Sequence, residues 1–239
     1  SWTPDNLDER EAIAREQLAI ALQLGDPQRA HDARMDLIAD LLERGDTAGV
    51  DAELAAHGRL VAAEPDLVFA WHHAHYQTMR ALVAGSLDEA ERTLERGRAL
   101  GARTGYDLAA QWYGIQLFTL RRMQGRLGEL APLLREAASA TGMCGWSVAW
   151  ALAQLDLDER TPPPDVLRGM ASPEALGLPR DFTWIASACL LAELAARLGD
   201  RRAHARVSAC LAPYQDRHAT LYGMTDLGAV ADFLPPPRG

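Results

Sequence analysis

With 239 residues, 48% of them hydrophobic and 24% charged, the chain has a soluble globular composition with room for one large domain or two small ones. The net charge of −9 is concentrated early: residues 1–66 carry 15 Asp and Glu against 6 Arg, and residues 67–239 carry 18 of each. An acidic lobe repels phosphate backbones, which argues against nucleic acid as a partner, and the absence of any Lys excludes chemistry that needs a Schiff-base or P-loop lysine.

In chain order, helix-forming residues with a helical apolar rhythm predict a first, acidic helix over 5–24 that caps the chain. Helix pairs follow at 27–45 with 47–64, 67–84 with 87–104, and 107–124 with 127–141. A degenerate pair comes next, 145–158 with 164–177, interrupted by "TPPPD" at 161–165. The last pair is 182–198 with 201–215, and residues 216–239 form a C-terminal cap and tail, with a short helix in "TDLGAVADF" stopped by three prolines. Strand signals are almost absent. The expectation is an all-α fold, a tetratricopeptide-like α-solenoid of about 11–12 antiparallel helices, in which residues 1–239 form a single helical-repeat domain and 27–215 supply about five pairs.

The period behind this reading is set by glycine. Gly45, Gly85 and Gly125 recur every forty residues, with further turns at Gly25 and Gly199, and each is followed by a polar residue and a new helix. Cys144, Cys189 and Cys210 have no CxxC spacing and lie in apolar surroundings, so they read as packing residues in a reducing compartment. The most apolar run, "WIASACLLAELAA", falls short of a membrane span, and "SWTPDNLDEREA" has no signal-peptide core. A cytoplasmic protein that does not enter the membrane is expected.

The segments "GSLDEAERTLERGRALG", "GIQLFTLRRMQGRLGELAPLL" and "LPRDFTWIASACLLAELAARLGD" followed by "LAPYQDRH" resemble the tetratricopeptide-like arrays of large bacterial ATP-binding regulators. LuxR-type activators and relatives of adenylate and guanylate cyclases are among these. The resemblance runs from about residue 10 to 220 and implies a stacked-helix sensor that engages a ligand or partner. No GxxxxGK[ST], cyclase-like segment or DNA-binding helix pair accompanies it here, so the resemblance implies a detached sensor module or a relative that works alone.

"FAWHHAHYQTMRALVAG" holds His72, His73 and His75 beside Trp71 and Tyr76. A shift of forty aligns Asp32 with His72 and Trp112, and Asp36 with Tyr76 and Gln116. Residues four apart share a helix face, so three first-of-pair helices present one stripe. In tetratricopeptide-type stacks those helices line the concave surface, where the stripe, with His75, suits a protein segment or small molecule. Helix-face packing and a metal site formed by His72 and His75 with Asp32 or Asp36 are the competing readings. No zinc spacing is present, so no metal, cofactor or catalytic residue is assigned. His73 points about 100° away from His72 and is not expected to join it.

Trp71, Trp146 and Trp184 read as packing residues, Trp112 as groove-facing with Tyr113 as its packing partner, and residues 161–181 as a lid or a worn repeat. The sequence thus favours a non-catalytic binding module, regulatory or scaffolding. The alternative is a stand-alone ligand-binding protein or enzyme of a specialised pathway with a pocket around His72 and Tyr76. A homodimer interface on the same face is the third reading.

Overall fold

The computed structural model describes residues 2–141, 144–158, 162, 166 and 179–235. The fold is all-α: ten α-helices among these residues pack consecutively against one another. They are α1 (Leu7–Leu24), α2 (Pro27–Arg44), α3 (Thr47–Ala63), α4 (Leu67–Val83), α5 (Leu87–Thr104), α6 (Ala109–Met123), α7 (Ala131–Thr141), α8 (Cys144–Asp156), α9 (Trp184–Leu198) and α10 (Arg201–Leu211). A 3₁₀ turn, Leu127–Leu130, leads into α7. The predicted helix at 164–177 and most of the 161–181 segment lie outside the described residues.

Two-residue turns make the stack. Gly45 takes φ +77° and its N–H reaches the Leu42 carbonyl at 3.0 Å, while the Asp46 N–H reaches that of Leu41 at 2.9 Å. This is a Schellman closure of the last helical turn. Asp46 then caps α3, its carboxylate accepting from the Gly49 N–H at 2.9 Å. Gly25–Asp26 and Gly199–Asp200 repeat the device, with Asp26 accepting from Arg29 and Asp200 from Arg202 and Ala203. One residue ends a helix and the next begins another, so neighbours run antiparallel with little slack.

The core has two main centres. Leu37, Ile38, Leu41, Val50 and Met79 fill the space among α1 to α4. Leu152, Trp184, Ile185, Leu194, Val207 and Leu211 fill that among α8 to α10, with Leu127 and Leu134 from the preceding pair.

The tail departs from expectation. The predicted helix is instead a small antiparallel hairpin, β1 (His218–Thr220) with β2 (Asp226–Ala229), followed by a 3₁₀ turn at Val230–Phe233. Gly223 at φ +67° and Gly228 at φ +119° take conformations no right-handed helix contains, and Tyr222 sits between strand and turn at φ +44°. This hairpin lies across α2, α4 and α9, and the N-terminal residues close over it. Arg217 donates to the Pro4 carbonyl and to Glu43 at 2.5 and 2.8 Å, and Tyr214 and Arg180 both donate to Asp5. The first and last helix pairs are thereby tied together.

Gly45 and Gly25 separate backbone strain from crowding. Both sit at positive φ, yet a Cβ on Gly25 meets nothing within 4 Å, while one on Gly45 lands 2.9 Å from the His218 ring. Gly25→Ala is expected to cost about 1–2 kcal/mol. Gly45→Ala is expected to cost distinctly more, because His218 and its hairpin must shift as well. Urea unfolding of the two variants side by side measures the difference.

Candidate functional site

Five of the seven histidines lie in one layer across α2, α3, α4 and their neighbours: His31, His57, His72, His73 and His75. Four of them form a hydrogen-bonded chain. His73 Nδ1 lies 3.1 Å from His57 Nδ1, His57 Nε2 lies 2.8 Å from His31 Nδ1, and His31 Nε2 lies 3.1 Å from His72 Nδ1. His31 is on α2, His57 on α3, and His72 and His73 on α4, so the chain joins three helices. His73 therefore does join His72, contrary to expectation, by way of two imidazoles on other helices. His31 and His57 went unnoticed in the sequence because they align with Trp71 and Gly97 under the forty-residue shift, not with each other. The local density of histidine over 31–75 was the available signal.

Burial keeps these rings neutral. His57 and His72 are pushed down to about 3 and His75 to about 4, in each case chiefly by desolvation; His31 and His73 are lowered for the same reason. Among the described residues, no carboxylate is hydrogen-bonded to these four rings. Asp32 and Asp66 act on His31 from a distance and favour its cation, while Arg34 and Arg96 oppose a cation at His57 and His73. Among the described residues, no group of three or more His, Cys, Asp or Glu is placed to hold a metal ion. The two inner rings, His57 and His31, use both nitrogens on other histidines, so neither keeps a nitrogen free for a metal.

His75 belongs to a separate arrangement. Its Nδ1 is 2.6 Å from Gln116 Oε1, and the Gln116 amide donates to the carbonyls of His75 and Met224 at 2.8 and 2.7 Å. With the Gln116 oxygen facing His75, Nδ1 must carry the proton, which leaves Nε2 a bare acceptor. That Nε2 is buried without a hydrogen bond, and so is the indole N–H of Trp71, one turn earlier. Both face α5 where it carries Gly97 and Gly101.

The predicted stripe does come together, but as the floor beneath the chain's own C-terminal segment. The Tyr222 hydroxyl donates to Asp36 at 2.6 Å, and Thr225 is hydrogen-bonded to Thr119 at 2.8 Å. Met224 packs with Trp71, Trp112 and Ile115. Trp112, expected to be partly exposed, is 6% exposed, and His72, His75, Tyr76 and Gln116 are at 4, 0, 1 and 0%. Only Asp32 stays open, accepting from Gln28, with Asp36 half-buried. Forty-residue alignment places side chains on a common face correctly, yet a common face is exposed only if no other part of the chain covers it. Tyr113 does not partner Trp112; its hydroxyl donates to Glu95 and its ring packs by Leu94 and Leu120. Trp71 and Trp184 are core residues, as the sequence suggested, and Trp146 packs partly buried against the core.

Beside the hairpin lies a second polar cluster that the sequence did not reveal. Asp40 is fully buried with Arg10 at 3.4 Å, and Arg10 directs its hydrogen bond to Glu43 instead, at 2.7 Å. Desolvation lifts the Asp40 carboxyl to about 7, against the pull of Arg10.

Compared with protein-family models, curated proteins and solved structures, the chain matches none of them. No described helix is long and apolar enough to cross a membrane.

Two predictions follow from the site's electrostatics and space. Histidines with a folded pKa below the unfolded value of about 6.5 contribute stability that is fully present above pH 6.5 and is lost as pH falls toward about 4 and 3. Asp40 acts oppositely, its contribution declining as pH rises from 3.8 to about 7. With five lowered histidines against two raised carboxyls, Asp36 and Asp40, and the raised His218, unfolding free energy measured in urea should fall below pH 6.5, and His57→Asn should flatten that slope.

The second concerns α5. The nearest atoms to a Cβ on Gly97 are those of the His75 ring, at 3.5–3.8 Å, whereas one on Gly101 lies 2.9 Å from the Trp71 nitrogen. Gly97→Ala should stabilise by about 0.5–1 kcal/mol through helix propensity, and Gly97→Ser should add a hydroxyl donor for the bare Nε2. Gly101→Ala should destabilise, as thermal melts of the three variants will show.

Proposed function

We propose that this chain is a non-catalytic helical-repeat binding module, regulatory or scaffolding, that engages an extended partner segment on the face shared by α2, α4 and α6. The observation that carries this reading is the way the face holds residues 221–225. It grips them as a groove grips a peptide: Gln116 takes a backbone carbonyl, Asp36 a phenol, Thr119 a hydroxyl, and Trp71 and Trp112 seat a thioether. A surface that reads backbone and side chains of its own segment has the chemistry to read a similar segment from a partner. The internal segment then regulates access, since a partner must displace it.

The alternative of a pocket around His72 and Tyr76 has less support, because both side chains are packed within the helix layer. The imidazole chain is the one feature in its favour.

A competition experiment tests the groove. In full-length Met224→Asp, the internal segment loses its apolar seat, and a fluorescent peptide of residues 216–230 should bind the freed face. Wild-type chain should bind the same peptide much more weakly. Adding Gln116→Leu to Met224→Asp should weaken binding about tenfold, the worth of one buried hydrogen bond. If Met224→Asp keeps its helical circular dichroism and takes up no peptide, the groove reading falls.

A further inference from the structure

The four-imidazole chain has a property that follows from counting protons. Four neutral rings carry four ring N–H groups, and the three N···N contacts use one each. The remaining N–H sits at one end, on His72 Nε2 or on His73 Nε2. The neutral chain therefore has two polarities, every hydrogen bond pointing one way or every one reversed. A fifth proton is accommodated without breaking a contact: both terminal Nε2 atoms are then protonated, and one ring in the chain donates from both nitrogens. The cation moves when a ring passes the proton of one contact across to its neighbour, so the charge travels while each proton moves only within its own hydrogen bond. A sixth proton finds no acceptor within the chain and must break a contact.

We propose that His73, His57, His31 and His72 form a single-proton relay, carrying one positive charge from the half-buried His73 at the α3–α4 surface to His72 beside the Trp71–Trp112 seat. The two ends differ in what they face. His73 packs on His57 and the α3 backbone at Gly58, with Arg96 of α5 disfavouring a cation there. His57 is faced by Arg34 of α2 and by the Tyr76 ring of α4, edge-on at 5.5 Å. His31 stacks on Phe69 at 4.1 Å, with Asp32 and Asp66 near enough to favour a cation. His72 lies among three aromatic rings, Trp71, Trp112 and Tyr106, at centroid distances of 4.4, 5.2 and 6.3 Å, and near His75. The arginines push a charge away from the His73 half of the chain, the two aspartates draw it to His31, and at His72 a hydrogen bond with the Val68 backbone favours it while desolvation opposes it. A proton entering at His73 is thus drawn past His57 toward His31 on α2, and it reaches His72 only against the desolvation of that ring. The inference stands on the chain's geometry and does not depend on the groove reading.

Full-length protein labelled with ¹⁵N-histidine gives the test by NMR. At about pH 8 the wild type should show scalar coupling across all three N–H···N contacts. On acidification, the ring nitrogens of all four histidines should move together in one step that takes up one proton. His31→Gln, which removes the two contacts His31 makes, should abolish the shared step and leave the His73–His57 pair titrating apart from His72. Where that variant fails to fold, His73→Leu at the half-buried end should move the ¹⁵N frequencies of His31 and His57, which lie behind it. Missing couplings, separate titrations of neighbouring rings in the wild type, or unfolding before any of the four rings takes a proton would each overturn the relay. A role in packing alone leaves the four rings uncoupled.

Discussion

The Gly–Asp turn is the constraint on which the rest of the molecule depends. A helix that ends in a left-handed glycine and restarts one residue later, on an aspartate cap, has no freedom to wander. Each such turn reverses the chain at a fixed angle and keeps helices of similar length in register. Between α3 and α6 other joints, an Asp66 cap and left-handed Gly85 and Gly105, continue the reversals, and Asp36, Tyr76 and Gln116 come to a common face. The imidazole chain depends on these fixed joints and not on the forty-residue register: it draws one residue each from α2 and α3 and two from α4, and a slip of one residue in any of these helices would turn a ring out of line.

Burying polar rings in a helix layer carries a desolvation cost, and this chain meets it in two ways. His31 and His57 satisfy both nitrogens on other histidines, an arrangement that works only for neutral rings whose tautomers agree along the line. His75 satisfies one nitrogen on Gln116 and leaves the other bare beside a glycine. The first solution is closed and strong but titrates as a unit. The second is incomplete, and its missing partner is a local loss that a single side chain on α5 would repair. Both place acid sensitivity on helices, α2 and α4, that also support the C-terminal segment.

How much of this was legible in the sequence depends on whether an interaction repeats. The helices, their glycine ends and the shared face of Asp36, Tyr76 and Gln116 follow from a period, so they were readable, often to within one or two residues. The hairpin at 218–229 was not, because its residues have ordinary helix-compatible neighbours, and only the positive φ of Tyr222, Gly223 and Gly228 commits them to a turn. His31 and His57 were not, because each stands in a different register of a different helix. Exposure was the property read least well. Trp112 looks groove-facing on its helix, and it is, but the groove is filled by Met224, which lies more than a hundred residues away in sequence.

That filling explains the composition of the stripe better than a free surface would. A face permanently open to water has no use for Trp71 and Trp112 side by side, and a face permanently sealed has no need for Asp36 or for the amide of Gln116. The mixture suits an apolar seat with hydrogen-bonding groups around it, occupied by a segment that brings both kinds of chemistry. Tyr222 shows the balance at one residue. Its backbone sits in the left-handed region, which costs a tyrosine about 1–3 kcal/mol, and its hydroxyl and ring recover that cost through Asp36, Trp2 and Phe182. The segment is held by side-chain contacts and opposed by its own backbone. Such an element docks firmly yet gains least from staying when another chain offers the same contacts without the strain.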